Sequence, residues 1–387
     1  MALASQTPRT AHVRGSSNSI TTRPVMLIFG ALVALVGLGA VVALLVWPRA
    51  DVAQPTANVM PGVIAQPAVN VAAVPAASPT PVVPAVPVAP SVVPTLAAPV
   101  VPTAGNLAAS GLPPEVAELM QAGSALMARG DLLGARERLN AALLSARTPE
   151  TEREPLRRQI SALNDTLVFS PTVAPSDPLF GSYAVQPGDS ITKVMRSQSP
   201  FVDRLFLGRI NALPDVNKLR VGQKLKVPRQ PFHVIVHKAA FRADVYMGPP
   251  LPADATIGTS SPIESRLTGW TYIRSFPVGL GESDGTPEGL FVVRPSSKLM
   301  NPEWINPRDR TRYLANDPTN PIGEHWVGLE GAEERTRTFT GYGIHGTVDP
   351  ASVGKQQSMG CVRLLAPDVA IVYEILAERV SMVWIVK

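Results

Sequence analysis

Cysteine occurs once in 387 residues, at Cys361. A disulfide within the chain needs two thiols and is excluded. The remaining roles are a small buried hydrophobe, a metal ligand, a bridge to another molecule, or a nucleophile. Charge is sparse too, and uneven. Ahead of Glu115 the only charged residues are Arg9, Arg14, Arg23, Arg49 and Asp51, four positive less one negative, which places +3 of the net +5 there. The remainder is nearly neutral, with no block of Lys and Arg and no interleaving of basic with aromatic residues. That excludes the usual electrostatic footprint of a nucleic-acid binder.

Between Val25 and Trp47 the run VMLIFGALVALVGLGAVVALLVW has no charge over 23 residues. At ~1.5 Å rise per residue a helix of that length crosses the roughly 30 Å hydrocarbon core of a bilayer. The run is longer than the apolar stretch of a cleavable signal, and Trp47-Pro48-Arg49 stands after it instead of a small-residue cleavage site. The expectation is an uncleaved transmembrane helix at 25–47. Arg9, Arg14 and Arg23 precede it, whereas Arg49 alone lies close behind, so positive charge places a cytoplasmic tail, 1–24, inside. The chain then reads as a single-pass protein of the inner (cytoplasmic) membrane, its folded part in the periplasm or cell-envelope space. A lone thiol in such a disulfide-permissive space is notable.

Residues 48–114 are rich in Pro, Ala and Val. From Val52 to Pro114 there is no charge, and 14 of 63 residues are proline. Proline at that density removes backbone donors and blocks helix and sheet, leaving an extended, polyproline-like linker. Its role is reach, carrying the C-terminal domains away from the membrane. Across 115–170 apolar residues recur at helical spacing, with a break at Gly130-Asp131, and Pro149 and Pro155 punctuate the stretch. This predicts a helical hairpin plus a third helix. One stretch, ARGDLLGARERLNAALL, resembles a single tetratricopeptide-type unit, so the segment reads as a helical spacer or as a docking site for a protein partner.

Residues 181–229 contain YAVQPGDSITKV, then INAL, then VGQKLKVP. Two short strands flank two helices, with a turn at Pro187-Gly188-Asp189 and a cap from Asp189 or Ser190. The stretch resembles a LysM domain, which implies a βααβ fold binding N-acetylglucosamine-containing glycans such as peptidoglycan. The resemblance implies that Gly188, Asp189, Ser190 and Asn211 contribute to glycan binding.

From residue 231 to 387 the pattern is β-rich, in FHVIVHKAAFRADVYM, TYIRSFPVGL, GLFVVRP and VSMVWIVK, with one helical stretch before the last strand. Two short stretches carry the chemistry. GYGIHGT, Gly341 to Thr347, places His345 sixteen residues before Cys361, and SMGCVRL, Ser358 to Leu364, surrounds the cysteine. A thiol needs a base or a positive field to become a thiolate, and histidine supplies either. Gly343, Gly346 and Gly360 admit close approach of backbone and substrate. Backbone N–H groups around Gly360-Cys361 are candidate donors to an oxyanion, and Arg363 can grip a carboxylate. Metal binding by His233, His237 and His325 is the rival use of histidine. Without paired cysteines the spacing is poor for zinc, and neither metal nor cofactor is expected.

FPVGLGESDGTPEGLFVV, NPIGEHWVGL, IHGT and SMGCVRL together resemble the L,D-transpeptidase catalytic domain of the YkuD family. The resemblance implies a mainly-β, β-sandwich-like domain at 231–387 and a cysteine nucleophile attacking a peptidoglycan tetrapeptide stem at a diaminopimelate-like third residue. D-Ala leaves, a thioester forms, and an amine of a second stem resolves it. It further implies Cys361 as nucleophile, His345 as proton donor and acceptor, and the Gly346 carbonyl as the group orienting the imidazole. Gly360 N–H would serve the oxyanion, with Arg363, Ser358, Tyr342 and Trp326 against the substrate. The chain departs from the family at Met359, where most members carry histidine. An L,D-carboxypeptidase, or a catalytically weak LysM-type peptidoglycan-binding protein, are the alternative readings.

Overall fold

The computed structural model describes residues 111–250 and 267–387. The expected membrane helix, its orientation and nearly all of the linker lie outside the described residues. Three helices come first: α1 (Pro114–Ala128), α2 (Leu132–Leu144) and α3 (Glu150–Leu167). Asp131 caps α2 by accepting from Gly134 N–H at 2.9 Å, the role a short carboxylate fills best at a helix start. Pro155 lies inside α3 and does not bound it.

Next, β1 (Phe180–Ala184), α4 (Ile191–Gln198), α5 (Arg204–Ile210) and β2 (Lys224–Pro228) form a βααβ unit. The two strands pair antiparallel, with Phe180 opposite Pro228. Ser190 and Asp203 cap the two helices, and Ile191, Val194, Phe206, Leu207, Ile210 and Leu225 fill the interior. The unit is fastened to its neighbours by charge. Buried Lys226 donates to the carbonyls of Leu167, Val168 and Ser170 at 2.5, 3.2 and 2.9 Å. These stand at the end of α3, where carbonyls lack intrahelical partners and the dipole is negative. Burial nevertheless pushes the Lys226 pKa down to about 8.

The remaining strands are β3 (Phe232–His237), β4 (Arg242–Met247), β5 (Thr271–Pro277), β6 (Leu280–Gly281), β7 (Gly289–Met300), β8 (Trp304–Ile305), β9 (Arg312–Tyr313), β10 (His325–Gly331), β11 (Gly343–His345), β12 (Gln356–Ser358), β13 (Val362–Arg363) and β14 (Met382–Val386), with helix α6 (Ala366–Ile375) before the last. Eight of them make one sheet in the order β13-β11-β10-β7-β14-β3-β4-β5, while β12 pairs with β6 and β8 with β9. Within the large sheet β11·β13 and β14·β3 are parallel and the other pairs antiparallel. The domain is mainly β, but the sandwich expectation needs correction. Its covering layers are helical, because both faces of one sheet are closed by helices and loops.

Strand β3 shows why. Val234 and Val236 face a cluster that includes Val369, Val372 and Ile375 of α6 and Phe206 of α5. Ile235 faces the other way, into a cluster with Leu139, Leu156 and Ile160 of α2 and α3. Side chains alternate across a strand, so a strand covered on both faces loses its polar alternation. The helical layer therefore packs as part of the same core. Its apolar side lies on Tyr246, Tyr272 and Trp384. Asn164 of α3 donates to the β5 carbonyls of Tyr272 and Ile273 at 3.0 and 2.9 Å. A buried carboxylate, Asp244 on β4, pins the same layer. It accepts from Arg242 at 2.7 Å and Ser275 at 2.6 Å, and lies 3.3 Å from Arg157 of α3 and 3.2 Å from His237. Burial alone would raise the Asp244 pKa, but His237, Arg242 and Arg157 outweigh it and hold the carboxyl well below the usual range.

Candidate active site

The edge of the sheet brings the two reactive side chains of the sequence together. β11 and β13 run parallel, with Ile344 opposite Val362 and His345 opposite Arg363. Cys361 is the residue just before β13, so it stands level with Gly343. Its half-buried Sγ points at the Gly341 carbonyl, 3.8 Å away. Burial pushes the thiol pKa up to about 11, with the Gly343 N–H and the charge of Arg363 offsetting part of that rise. Cys361 is therefore a thiol at rest.

His345 is buried, and its Nδ1 lies 2.6 Å from the Gly346 carbonyl. A carbonyl only accepts, so in the neutral ring Nδ1 carries the proton and Nε2 keeps its lone pair. Trp326 on β10 stacks on the imidazole at 5.7 Å between centroids and 17° between planes. Burial lowers the His345 pKa to about 4; the Gly346 carbonyl opposes this and the charge of Arg363 reinforces it. The ring is thus an unprotonated base at neutral pH, in a fixed tautomer. Among the described residues no hydrogen bond joins it to Cys361; catalytic contacts of this kind tighten when substrate is bound.

Around the cysteine the chain makes a tight turn. Gly360 has φ +126°, and a Cβ there would lie 2.6 Å from the ring of half-buried Tyr342. Two of the expected site residues hold the turn itself. Gly360 N–H donates to Ser358 Oγ at 3.1 Å. Ser358 is buried and donates to the Cys361 carbonyl at 2.6 Å, which braces the turn. The Cys361 N–H has no hydrogen-bond partner among the described residues. Met359 is exposed, beside the turn.

Arg363 pairs its backbone with Gly279 and is half-buried, and its Nε is buried with no partner among the described residues. The segment 301–324 crosses this region. At its base Asn301 N–H donates to the Glu324 carbonyl at 2.7 Å and Asn320 Nδ2 to the Pro302 carbonyl at 2.9 Å. At its far end Arg308 forms an ion pair with Glu282. A cleft of about 420 Å³ lies between this segment and α6, lined in part by Asn301, Asn320, His325, Gly346 and Thr347. Cys361 is not in its lining, so the cleft abuts the strand of the base, not the thiol.

The βααβ residues expected to bind glycan are exposed at Gly188 and Ser190 and half-buried at Asp189 and Asn211, and each takes part in the unit's own hydrogen bonds. Asp189 accepts from Tyr183 OH at 2.7 Å and Gln186 N–H at 2.8 Å, and the Gly188 carbonyl accepts from Lys193 Nζ at 2.6 Å. Ser190 caps α4. Asn211 bridges Leu207 and Lys226 through three hydrogen bonds. All four take part in holding the unit's own turns. The three other histidines among the described residues are scattered. His233 lies between Gly248 O and Met382 N–H and stacks on Trp270, His237 meets Asp244, and His325 packs near Tyr373.

Residues 264–385 match the family model described as the YkuD L,D-transpeptidase catalytic domain. The match begins after β3 and β4, although both strands are integral to the sheet. YkuD of Bacillus subtilis, named as a candidate L,D-transpeptidase, is 42% identical over 98 residues, which are 25% of this chain and 44% of that protein. YqjB of Bacillus subtilis, named likewise, is 37% identical over 90 residues, 23% of this chain and 46% of that protein. The chain thus spans less than half the length of these relatives. Among solved structures, an L,D-transpeptidase from Mycobacterium smegmatis is 17% identical, covering 43% of this chain and 65% of its own, with a TM-score of 0.26. The catalytic domain of the E. faecium L,D-transpeptidase is 15% identical, covering 41% and 98%, also with a TM-score of 0.26.

Proposed function

We propose that this chain is a peptidoglycan L,D-transpeptidase acting through a thioester on Cys361. The observation that supports this most directly is the pairing of a thiol with a buried, neutral imidazole of fixed tautomer on adjacent edge strands, inside the region that matches the family model. Cys361 Sγ attacks the carbonyl of the third residue of a tetrapeptide stem as its proton passes to His345 Nε2. The S–C bond forms, the C–N bond breaks, and that proton goes to the departing amino group of D-Ala. An amine of a second stem then attacks the thioester, gives its proton to His345, and the sulfur recovers it. The Cys361 N–H stabilises the oxyanion in both steps. The βααβ unit as a LysM-type glycan binder, and an uncleaved N-terminal anchor holding the domain in the cell-envelope space, belong to the same proposal.

The test is intact mass after incubation with a disaccharide tetrapeptide. Wild type should gain the mass of the acyl group with loss of D-Ala, and Cys361→Ala should gain nothing. An adduct of equal yield on Cys361→Ala would overturn the assignment.

A further inference from the structure

Resting on that reading, one pair of side chains acquires a role. Arg308 stands at the far end of the segment that crosses the active-site edge, where it meets Glu282. Glu282 is placed by Gly281, which pairs with Ser358 in the β6–β12 ladder. A Cβ on Gly281 would lie 2.8 Å from Gly360 Cα, so the two chain segments touch beside Cys361. Arg363 enters the same region from β13, opposite His345 and bridged to Gly279. It makes no ion pair within 4 Å among the described residues, and its buried Nε is unpartnered. Burial lowers the Arg363 pKa, Cys361 and Asp349 oppose that, and the like charge of Arg308 adds a smaller lowering.

Two arginines therefore attach to the 279–282 stretch that borders the nucleophile's turn, Arg363 through Gly279 and Arg308 through Glu282, and the carboxylate of Glu282 occupies one of them. Arg308 and Glu282 are each 54% exposed. Ion pairs so exposed hold weakly, because water competes for both partners. Arg363, in contrast, is half-buried with a buried Nε that has no hydrogen-bond partner among the described residues, an arrangement suited to accepting an anion.

We infer that Arg308 and Arg363 form a two-guanidinium carboxylate site beside Cys361, in which Glu282 holds the place of a substrate carboxylate and is exchanged for it. On a stem whose third residue is a diaminopimelate, the free carboxylate of its side chain is an anion of the chemistry required. The same stem with that group as a carboxamide lacks the charge. Arg308 is then a specificity residue that recognises the donor, and the reaction at the carbonyl does not depend on it.

The experiment compares acylation of the full-length protein by two purified disaccharide tetrapeptides, one with the side-chain carboxylate free and one amidated. Wild type should prefer the acid by about tenfold in kcat/KM, the scale of one charge-assisted contact at a partly exposed site. Arg308→Ala should bring that ratio toward one, through KM more than kcat. Glu282→Gln should lower KM for the acid a few-fold by removing the internal competitor. Thermal melts of both variants confirm folding, and Arg308→Lys, which keeps charge without the fork, should fall between. If wild type is acylated and the acid-to-amide ratio is the same in Arg308→Ala, the carboxylate site is overturned while the transpeptidase reading stands. If wild type gains no adduct from either donor, that reading falls and the site falls with it.

Discussion

Replacing Asp244 by asparagine tests whether the helical layer is part of the catalytic domain's structure. The carboxylate is fully buried and gathers Arg157 from α3, Arg242 from its own strand and His237 from β3. Asparagine keeps the size and one acceptor oxygen, but leaves the Arg157 guanidinium, itself 2% exposed, without its buried counter-charge. Breaking one side of a buried pair costs roughly 3–5 kcal/mol. For a domain of this size each kcal/mol moves Tm by about 2–4 °C, so a fall of roughly 6–20 °C is expected. Calorimetry of Asp244→Asn beside wild type measures it. Asp165→Asn supplies the contrast: its pair with Arg274 is 62% exposed on the aspartate side and should change stability by less than about 1 kcal/mol. The pH dependence has a fixed sign. The folded Asp244 pKa is depressed below its unfolded value, so its contribution is present above about pH 4 and is lost as pH falls through the folded value. The gap between wild type and Asp244→Asn should be constant from about pH 5 to 7 and narrow under stronger acid. A variant melting within about 2 °C of wild type at neutral pH would refute the reasoning, because exposed ion pairs behave that way and buried ones do not.

Three further outcomes are expected at the site. With His345 titrating near pH 4 and Cys361 near 11, the rate of acylation should be level across the interval between them, falling only as the base is protonated below about pH 5; a stopped-flow profile that falls on both sides within about pH 6 to 8 would contradict the neutral pair. Gly360→Ala places a Cβ against Tyr342 at a φ of +126° and should lower the acylation rate by about a hundredfold while costing about 1–3 kcal/mol, read from single-turnover kinetics and urea unfolding. Ser358→Ala strands the Gly360 N–H and the Cys361 carbonyl in a buried turn, and should cost about 1–3 kcal/mol and slow acylation at least tenfold, checked by the same two measurements.

The legibility of fold and site in the sequence divides along physical lines. The histidine and cysteine are readable because each sits among glycines in a short local pattern, and a parallel pair of edge strands needs little more than that spacing to align them. The strands are readable from β-branched runs, but their order is not, since β14 inserts between β3 and β7 through contacts nearly 150 residues apart. The covered outer face does leave a trace in one dimension: Ile235, Tyr246, Tyr272 and Trp384 are apolar at positions that an uncovered sheet would make polar. Asp189, Ser190 and Asn211 are ambiguous in one dimension for a different reason. Short polar residues at turns serve caps as readily as ligands, and only the hydrogen-bond partners separate the two uses. Glu282 and Arg308 carry no signal at all in one dimension, because two exposed charges in polar loops acquire meaning only when the fold sets them beside the same turn.

The lone cysteine, with which the sequence offers so little redundancy, is matched to a resting state that protects it. A thiol titrating near 11 is ionised on the order of once in 10⁴ molecules at neutral pH, and oxidation and exchange proceed through the thiolate. A preformed thiolate–imidazolium pair would react faster with any electrophile and would also be lost faster in an oxidising space. Burial of both partners disfavours that ion pair from each side, raising the thiol and lowering the imidazole. The proton can then move only when a carbonyl is in place to take the developing charge and the Cys361 N–H is there to meet it. On the proposed transpeptidase reading, selectivity comes from the groups that hold the carbonyl there, and Arg363, whose buried Nε has no hydrogen-bond partner among the described residues, is a charge two residues from the sulfur.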